Sequence, residues 1–260
     1  MKKALIFSFI HLIAFSLSAQ KKYFNFQTIT KDSNFSFPIF QSSSDSIVEN
    51  KINVLLQLYE LQLLYEHNET NLFKILQITS DSVIQGNTSL FFNVIENSDK
   101  ILSVSFSKEW CSASCNYLTE YYNFNSGNGD LISFYDFIQR DKINSAIAAV
   151  TEKRKFNFLN QLPNLKSEQT IDTASVLSEL INSNLHYFYI KNDSVFISDD
   201  ECLSKFEKIY YDLNMITGFS AEELKPYLND YGKTVYSNSK KTIAKFHGNN
   251  FPQLYFRIKQ

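Results

Sequence analysis

Leu90-Phe91-Phe92-Asn93-Val94-Ile95-Glu96-Asn97-Ser98-Asp99-Lys100-Ile101-Leu102-Ser103-Val104-Ser105-Phe106-Ser107-Lys108-Glu109-Trp110 is the stretch whose reading decides the fold. Leu90 to Glu96 and Lys100 to Trp110 read as two strands, with Asn97-Ser98-Asp99 as the turn between them. In the second strand Ile101, Ser103 and Ser105 alternate with Leu102, Val104 and Phe106. Successive side chains of a strand point to opposite faces, so one face is greasy and the other small and polar.

Working outward, Tyr117 to Asn125 and Asp130 to Tyr135 read as a further strand pair around Ser126-Gly127-Asn128-Gly129. His186 to Ile190 and Ser194 to Ser198 form a hairpin pattern across Lys191-Asn192-Asp193, and Phe206 to Met215 reads as another strand. Tyr23 to Phe40 is strand-like, and Leu72 to Ile84 fits strand or helix. Helical spacing of Ile52, Leu55, Leu56, Tyr59 and Leu63 predicts a helix over about 47–66, opened by a Ser46/Glu49 capping box. Asp141 and Asp172 are candidate caps of two more helices, the first using Ile143, Ile147 and Val150, the second Val176, Leu177, Leu180 and Ile181. A second capping box, Ser220 to Glu223, leads to Leu224, Tyr227, Leu228 and Tyr231, with Gly232 as terminator and Pro226 splitting the element into short turns. Antiparallel-type hairpins with helices between the groups predict an α+β fold of antiparallel sheets and packed helices, in two successive halves. The expected organisation is a signal peptide at 1–19, an N-terminal half at 20–131, a C-terminal half at 132–236, and a linker with a terminal edge strand at 237–260. No internal repeat is evident.

The N-terminus sets the compartment. Met1-Lys2-Lys3 precedes an apolar run from Ala4 to Leu17, followed by Ser18, Ala19 and polar Gln20. That layout is a secretory signal peptide, with cleavage next to Ala19. About 14 apolar residues fall short of the roughly 20 that span a bilayer, and no later stretch approaches 18 uninterrupted apolar residues, so no stable membrane span is expected after signal removal. Removing Lys2 and Lys3 moves the net charge from −2 to −4, which implies no nucleic-acid surface. The chain is 44% hydrophobic, with 24 Phe, 15 Tyr and 1 Trp but only 6 Gly and 4 Pro, which excludes collagen-like and low-complexity disordered classes. A periplasmic or secreted globular protein is the expectation. No feature fixes an oligomeric state.

Cys111-Ser112-Ala113-Ser114-Cys115 is the most pointed chemical feature. Two such cysteines in an exported chain are a disulfide candidate. In an extended strand their Cα atoms would lie about 13 Å apart, whereas a disulfide needs roughly 4.4–6.8 Å, so a bridge requires Ser112 to Ser114 to turn. The alternative is copper or thiol chemistry, which wants a nearby His or Met; His67, His186 and His247 each stand alone in sequence. Cys202 is the odd cysteine. Asn123, Asn125, Asn128 and Asp130 imitate a calcium loop but lack its distal Glu, so they read as a turn. Asp199-Asp200-Glu201 is an acidic cluster; Asp199, Asp200 and Asp136 are the candidates for a dispersed carboxylate site, set against solvated turns. No His-Glu-x-x-His, Gly-x-Ser-x-Gly, phosphate-cradling loop or dinucleotide fingerprint occurs, and no cofactor or metal is implied.

Three stretches carry a resemblance to a known family. They are Lys100 to Phe106 around Leu102-Ser103; Tyr122-Asn123-Phe124-Asn125 through Gly129 to Leu131-Ile132-Ser133-Phe134-Tyr135-Asp136-Phe137-Ile138; and Tyr187 to Ile190 with Val195-Phe196-Ile197 and Phe219 to Leu228. Together they resemble a bacterial extracytoplasmic domain of unknown function, found in the ectodomain of the lysozyme-sensing anti-sigma factor RsiV and beside the catalytic domain of a peptidoglycan deacetylase. The likeness covers residues 34 to 236. This chain departs from it in placing the cysteine pair where the family has a Gly-Ala-His-like segment, and Asn125 where an Asp is expected. The resemblance implies an α+β fold without assigned catalytic residues, and an accessory or sensing role at the cell envelope. The leading expectation is therefore a non-enzymatic exported binding domain for cell-wall glycan or an envelope protein such as a muramidase. An envelope hydrolase, or copper or thiol handling through the cysteine pair, are the alternatives.

Overall fold

A computed structural model describes residues 23–42, 45–63, 72–76, 86–112, 114–165, 171–183 and 185–236. The signal-like segment, His67, His247 and the linker and edge strand expected over 237–260 lie outside them. The described chain is α+β. A five-stranded sheet takes β1 (Phe24–Asp32), β2 (Phe35–Ser42), β3 (Ser89–Asn97), β4 (Ile101–Cys111) and β5 (Cys115–Asn125) in sequence order. Its neighbours are antiparallel except β2 and β3, which meet in parallel at the single register pair Phe35↔Leu90. A three-stranded antiparallel sheet is made by β6 (Phe188–Lys191), β7 (Ser194–Ser198) and β8 (Ile216–Ser220).

The alternation in the decisive hairpin splits its surroundings in two. Leu102, Val104 and Phe106 are fully buried with Val48, Ile52, Leu56 and Leu61 of the helix α1 (Ser46–Leu61), which packs across that face. The small polar face is not left to solvent. Ser103 and Ser105 are buried because β6 lies over them. Beyond β6, Ile101 joins Phe134, Phe137, Phe188, Val195 and Phe219 in a second core, closed by the helix α3 (Ile143–Leu159).

Docking an edge strand onto a sheet face buries backbone groups that need partners. Ser103 Oγ donates to Asn123 Oδ1 at 2.6 Å, and Asn123 Nδ2 donates to the carbonyl of Phe188 at 2.8 Å. The Ile190 amide completes the circuit by donating to Ser103 Oγ at 3.3 Å. Two other amides act the same way. Asn53 on α1 accepts from the Phe40 amide at 2.9 Å and returns a bond to its carbonyl at 2.8 Å. Asn97 at the end of β3 does so for Phe24, at 2.9 and 2.8 Å, which holds β1 against the far end of β3.

Several local expectations are corrected. The strand-like stretch Tyr23 to Phe40 is resolved into two strands folded at Ser33-Asn34. The N-cap of α1 is Asp45, whose carboxylate accepts from Ile47 and Val48 at 2.9 and 3.2 Å, while Glu49 reaches back to the Ser42 amide at 2.6 Å. From the ambiguous Leu72–Ile84 segment, Leu72–Ile75 is a helical turn, α2. Asp130 to Tyr135 is not a strand: after the isolated Phe124↔Leu131 bridge, Asp136 captures the Ser133 amide and the chain turns into a 3-10 segment, Phe134–Phe137. The helix α3 opens after a 3-10 turn that contains Asp141 and takes no side-chain cap, whereas Asp172 does cap α4 (Thr173–Asn182) through the Ser175 amide. Ile181 in α4 is exposed. Phe206 to Met215 is not a strand: its first half belongs to the helix α5 (Lys205–Tyr210), opened by the Ser204/Glu207 capping box, and its second half is irregular.

The Ser220/Glu223 box opens α6 (Ala221–Leu224) as expected, and Pro226 separates it from α7 (Asp230–Tyr236). Gly232 does not terminate a helix; it lies inside α7, where a Cβ would meet the Phe137 carbonyl oxygen at 2.6 Å. The turn between β6 and β7 places Asn192 and Asp193 at φ 48° and 58°, the left-handed pair that suits a tight hairpin. Among the described residues no helix is long and apolar enough to cross a membrane.

Removing the Asn123 amide should strand a buried carbonyl and a buried hydroxyl. Asn123→Ala is expected to cost about 2–4 kcal/mol in urea unfolding, against within about 0.5 kcal/mol for the exposed Ser107→Ala on the same sheet face.

Candidate binding surface

The strands β4 and β5 stay in unbroken register from Ile101↔Asn125 to Cys111↔Cys115. The shorter β6 covers only their proximal half. A stack of rings marks its boundary: Tyr121 on β5 lies 5.1 Å from Tyr189 on β6, and Tyr189 lies 5.0 Å from Phe196 on β7. Past that boundary Phe91, Ser107 and Tyr117 are exposed, and among the described strands none lies over them. Register places Phe91, Ser107 and Thr119 in one row across β3, β4 and β5, and Ser89, Glu109 and Tyr117 in the next. Phe91 is 37% exposed and Tyr117 53% exposed, at opposite corners of this patch, with Asn93 exposed on the Phe91 side. Ser107 and Thr119 share a hydroxyl contact of 3.2 Å between the rings. By strand spacing and rise the two aromatic side chains stand roughly 12 Å apart. Ring faces at the corners and hydroxyls on the floor suit a ligand with both apolar and hydroxylated faces.

The distal edge of the patch is braced. Thr88 Oγ1 donates to Glu109 Oε2 at 3.2 Å, and the Tyr117 hydroxyl bonds the same carboxylate, which holds the phenol above its usual range. Beyond it Cys111 and Cys115 close the hairpin as a disulfide, with S–S 2.06 Å and Cα atoms 3.9 Å apart. The bridge therefore runs across a turn, as the spacing required. His186 is exposed on the surface and is not among the ligands gathered at the pair.

On the opposite face of the same strands sits a charged cluster that the sequence did not single out. Glu60, fully buried in the last turn of α1, accepts from the Tyr122 hydroxyl and lies 3.1 Å from Lys108 Nζ. Lys108 also pairs with Glu120. Burial pushes the Glu60 carboxyl up to about 7 although Lys108 pulls it down. Burial would raise Glu120 too, but hydrogen bonds from Lys108 and Glu60 outweigh it and hold Glu120 below the usual carboxylate range. Two carboxylates pushed apart in this way divide the roles of proton holder and anion. Four positions from two strands and a helix end meet here, so no local spacing could have announced the cluster.

The acidic candidates from sequence do not converge on one centre. Asp199 is buried against Arg154, whose Nε donates to Oδ2 at 2.9 Å; burial raises its carboxyl against the pull of the guanidinium. Arg154 also bonds Ser183, so the pair ties α3, α4 and the end of β7 together. Asp200 is exposed on the following 3-10 turn. Asp136, exposed, caps the Ser133 amide at 2.7 Å and shares a cleft of about 440 Å³ with Asp130, Asn128 and Tyr231. Asp130 is itself paired with Lys51. Cys202 is buried outside any disulfide, and burial pushes its thiol up to about 12.

The fold defines a class before any sequence likeness does: a mixed five-stranded sheet with a small antiparallel sheet docked on one face and a helix on the other. No protein-family model and no curated protein matches the sequence. Solved structures do share the fold. A DUF3298 family protein from Bacteroides fragilis is 12% identical, with a TM-score of 0.56, covering 83% of this chain and 97% of its own. A second DUF3298 family protein, from Pseudomonas aeruginosa, is 8% identical, with a TM-score of 0.50, covering 81% of this chain and 94% of its own. The fold is thus that of a domain family of unknown function.

Glu60 carries a pH dependence whose sign follows from its shift. Its carboxyl is raised from 4.5 to about 7 on folding, so its contribution is full below about pH 4.5 and lost as pH rises to about 7. Glu60→Gln keeps the neutral shape. Thermal unfolding should show the variant more stable than the parent by several degrees at pH 8 and level with it at pH 4.5.

Proposed function

We propose that the chain is an exported, non-enzymatic cell-envelope protein whose open β3–β5 face binds the glycan strands of the cell wall. One observation carries this reading: Phe91 and Tyr117 flank a floor of Ser107 and Thr119 on a sheet face that β6 leaves uncovered. A saturated sugar ring presents C–H groups to an aromatic face and hydroxyls to hydroxyl and amide side chains, which matches that layout. The signal-like N-terminus and the disulfide support a periplasmic or secreted location, since disulfides persist in oxidising compartments. Likeness to the envelope-sensing family supports the setting. A hydrolase is the weaker reading, because Asp136, Asp199 and Asp200 are dispersed and Asp199 is neutralised by Arg154.

Sedimentation of residues 20–260 with insoluble peptidoglycan tests the proposal, beside a pull-down on immobilised lysozyme. The protein is expected in the peptidoglycan pellet, and Phe91→Ala/Tyr117→Ala should weaken retention roughly tenfold or more without lowering the melting temperature. Retention unchanged in the double variant overturns the assignment to this face. Capture by lysozyme without retention on peptidoglycan overturns the glycan reading in favour of a muramidase partner.

A further inference from the structure

We propose that Glu109, Cys111 and Cys115 form a redox-gated site for a zinc-type divalent cation, closed while the disulfide stands and opened by its reduction. The inference does not rest on the glycan reading. One carboxylate oxygen and the two sulfurs lie within 4.8 Å of one another. Glu109 and Cys111 are two residues apart on β4, hence on one face, and Cys115 is the direct cross-strand partner of Cys111.

Reduction leaves this arrangement in place. The disulfide closes only a five-residue loop, and short loops gain the least from a cross-link. The register from Ile101↔Asn125 to Trp110↔Asn116 holds the hairpin without it. The two thiols then remain adjacent at an exposed tip where a soluble reductant reaches Cys111. In a tetrahedral zinc site each sulfur stands about 2.3 Å from the ion and the two sulfurs roughly 3.8 Å apart, a separation side-chain rotation supplies.

The donor set selects the ion. Two thiolates exclude calcium and magnesium, which take oxygen ligands. A carboxylate as third donor favours zinc over copper(I), which prefers a further thiolate or thioether. Glu109 is already oriented by Thr88 Oγ1 and the Tyr117 hydroxyl, the outer contacts a ligating carboxylate needs. The fourth position faces solvent. The steps balance with a dithiol as reductant: it gives two electrons and two protons to the Cys111–Cys115 bond, becoming a disulfide itself, and the two resulting thiols release two protons as they bind Zn²⁺.

The test uses residues 20–260, oxidised or reduced with a phosphine that is then removed anaerobically, and titrated with Zn²⁺ against a chromophoric chelator. Circular dichroism is recorded on every sample. Reduced protein is expected to bind one ion, with Co²⁺ in its place giving thiolate charge-transfer absorption; oxidised protein should bind at least about 100-fold more weakly. Cys111→Ser should abolish the absorption, and Glu109→Gln should weaken binding about tenfold or more with the fold intact. Equal binding by the oxidised and reduced forms overturns the proposal. So does wild-type affinity in Glu109→Gln, or loss of the sheet spectrum on reduction.

Discussion

The hydrogen-bonded circuit of Ser103, Asn123, Phe188 and Ile190 is the constraint on which the rest of the structure depends. A strand edge buried in a protein interior carries amides and carbonyls that water can no longer reach, and each one left alone costs about 1–3 kcal/mol. Ser103 and Asn123 answer those groups at a single register. They thereby fix where β6 lies on the large sheet, which in turn sets the second core around Phe134, Phe188 and Phe219. Asn53 and Asn97 repeat the device at β2 and β1. In this protein side-chain amides serve as substitutes for missing strand partners.

The same registration creates the exposed surface. Because β4 and β5 are eleven residues each and β6 is four, the small sheet cannot cover the hairpin to its tip. The uncovered part holds the aromatic–hydroxyl patch, the braced Glu109 carboxylate and the cysteine pair. The reverse face of those strands meets Glu60 of α1 with Lys108, Glu120 and Tyr122, where helix, sheet and charge come together. A single hairpin thus presents an exposed aromatic and hydroxyl surface on one side and a largely buried cluster of charges on the other.

Legibility in the sequence followed the range of the interaction. The hairpins of 90–110 and 188–198, the cap at Asp172 and the box at Ser220 were readable because a period of two, or a spacing of three, is a local signal. Local reasoning failed where competing local bonds were close in strength: Asp45 displaced Ser46 as cap, and Ser204 with Glu207 turned an apolar strand-like run into α5. It failed differently at Gly232, whose need is set by the distant Phe137 carbonyl rather than by a helix end. Asp199 looked like part of a solvated acidic turn, and no feature of the sequence linked it to Arg154, 45 positions away.

By itself the sequence determined the α+β class, the greasy and polar faces of the central strand, the turn demanded of the cysteine pair and the signal-like start. Each depends on residues within a few positions of one another, where backbone geometry alone dictates which side chains share a face. Only the tertiary structure decided that the polar face is a docking surface for β6, that Phe91 and Tyr117 share an open patch, that Glu109 joins the cysteines, and that Glu60 is buried beside Glu120. Those outcomes depend on which segments pack together and on burial, which sets both the demand for hydrogen-bond partners and the cost of a charge.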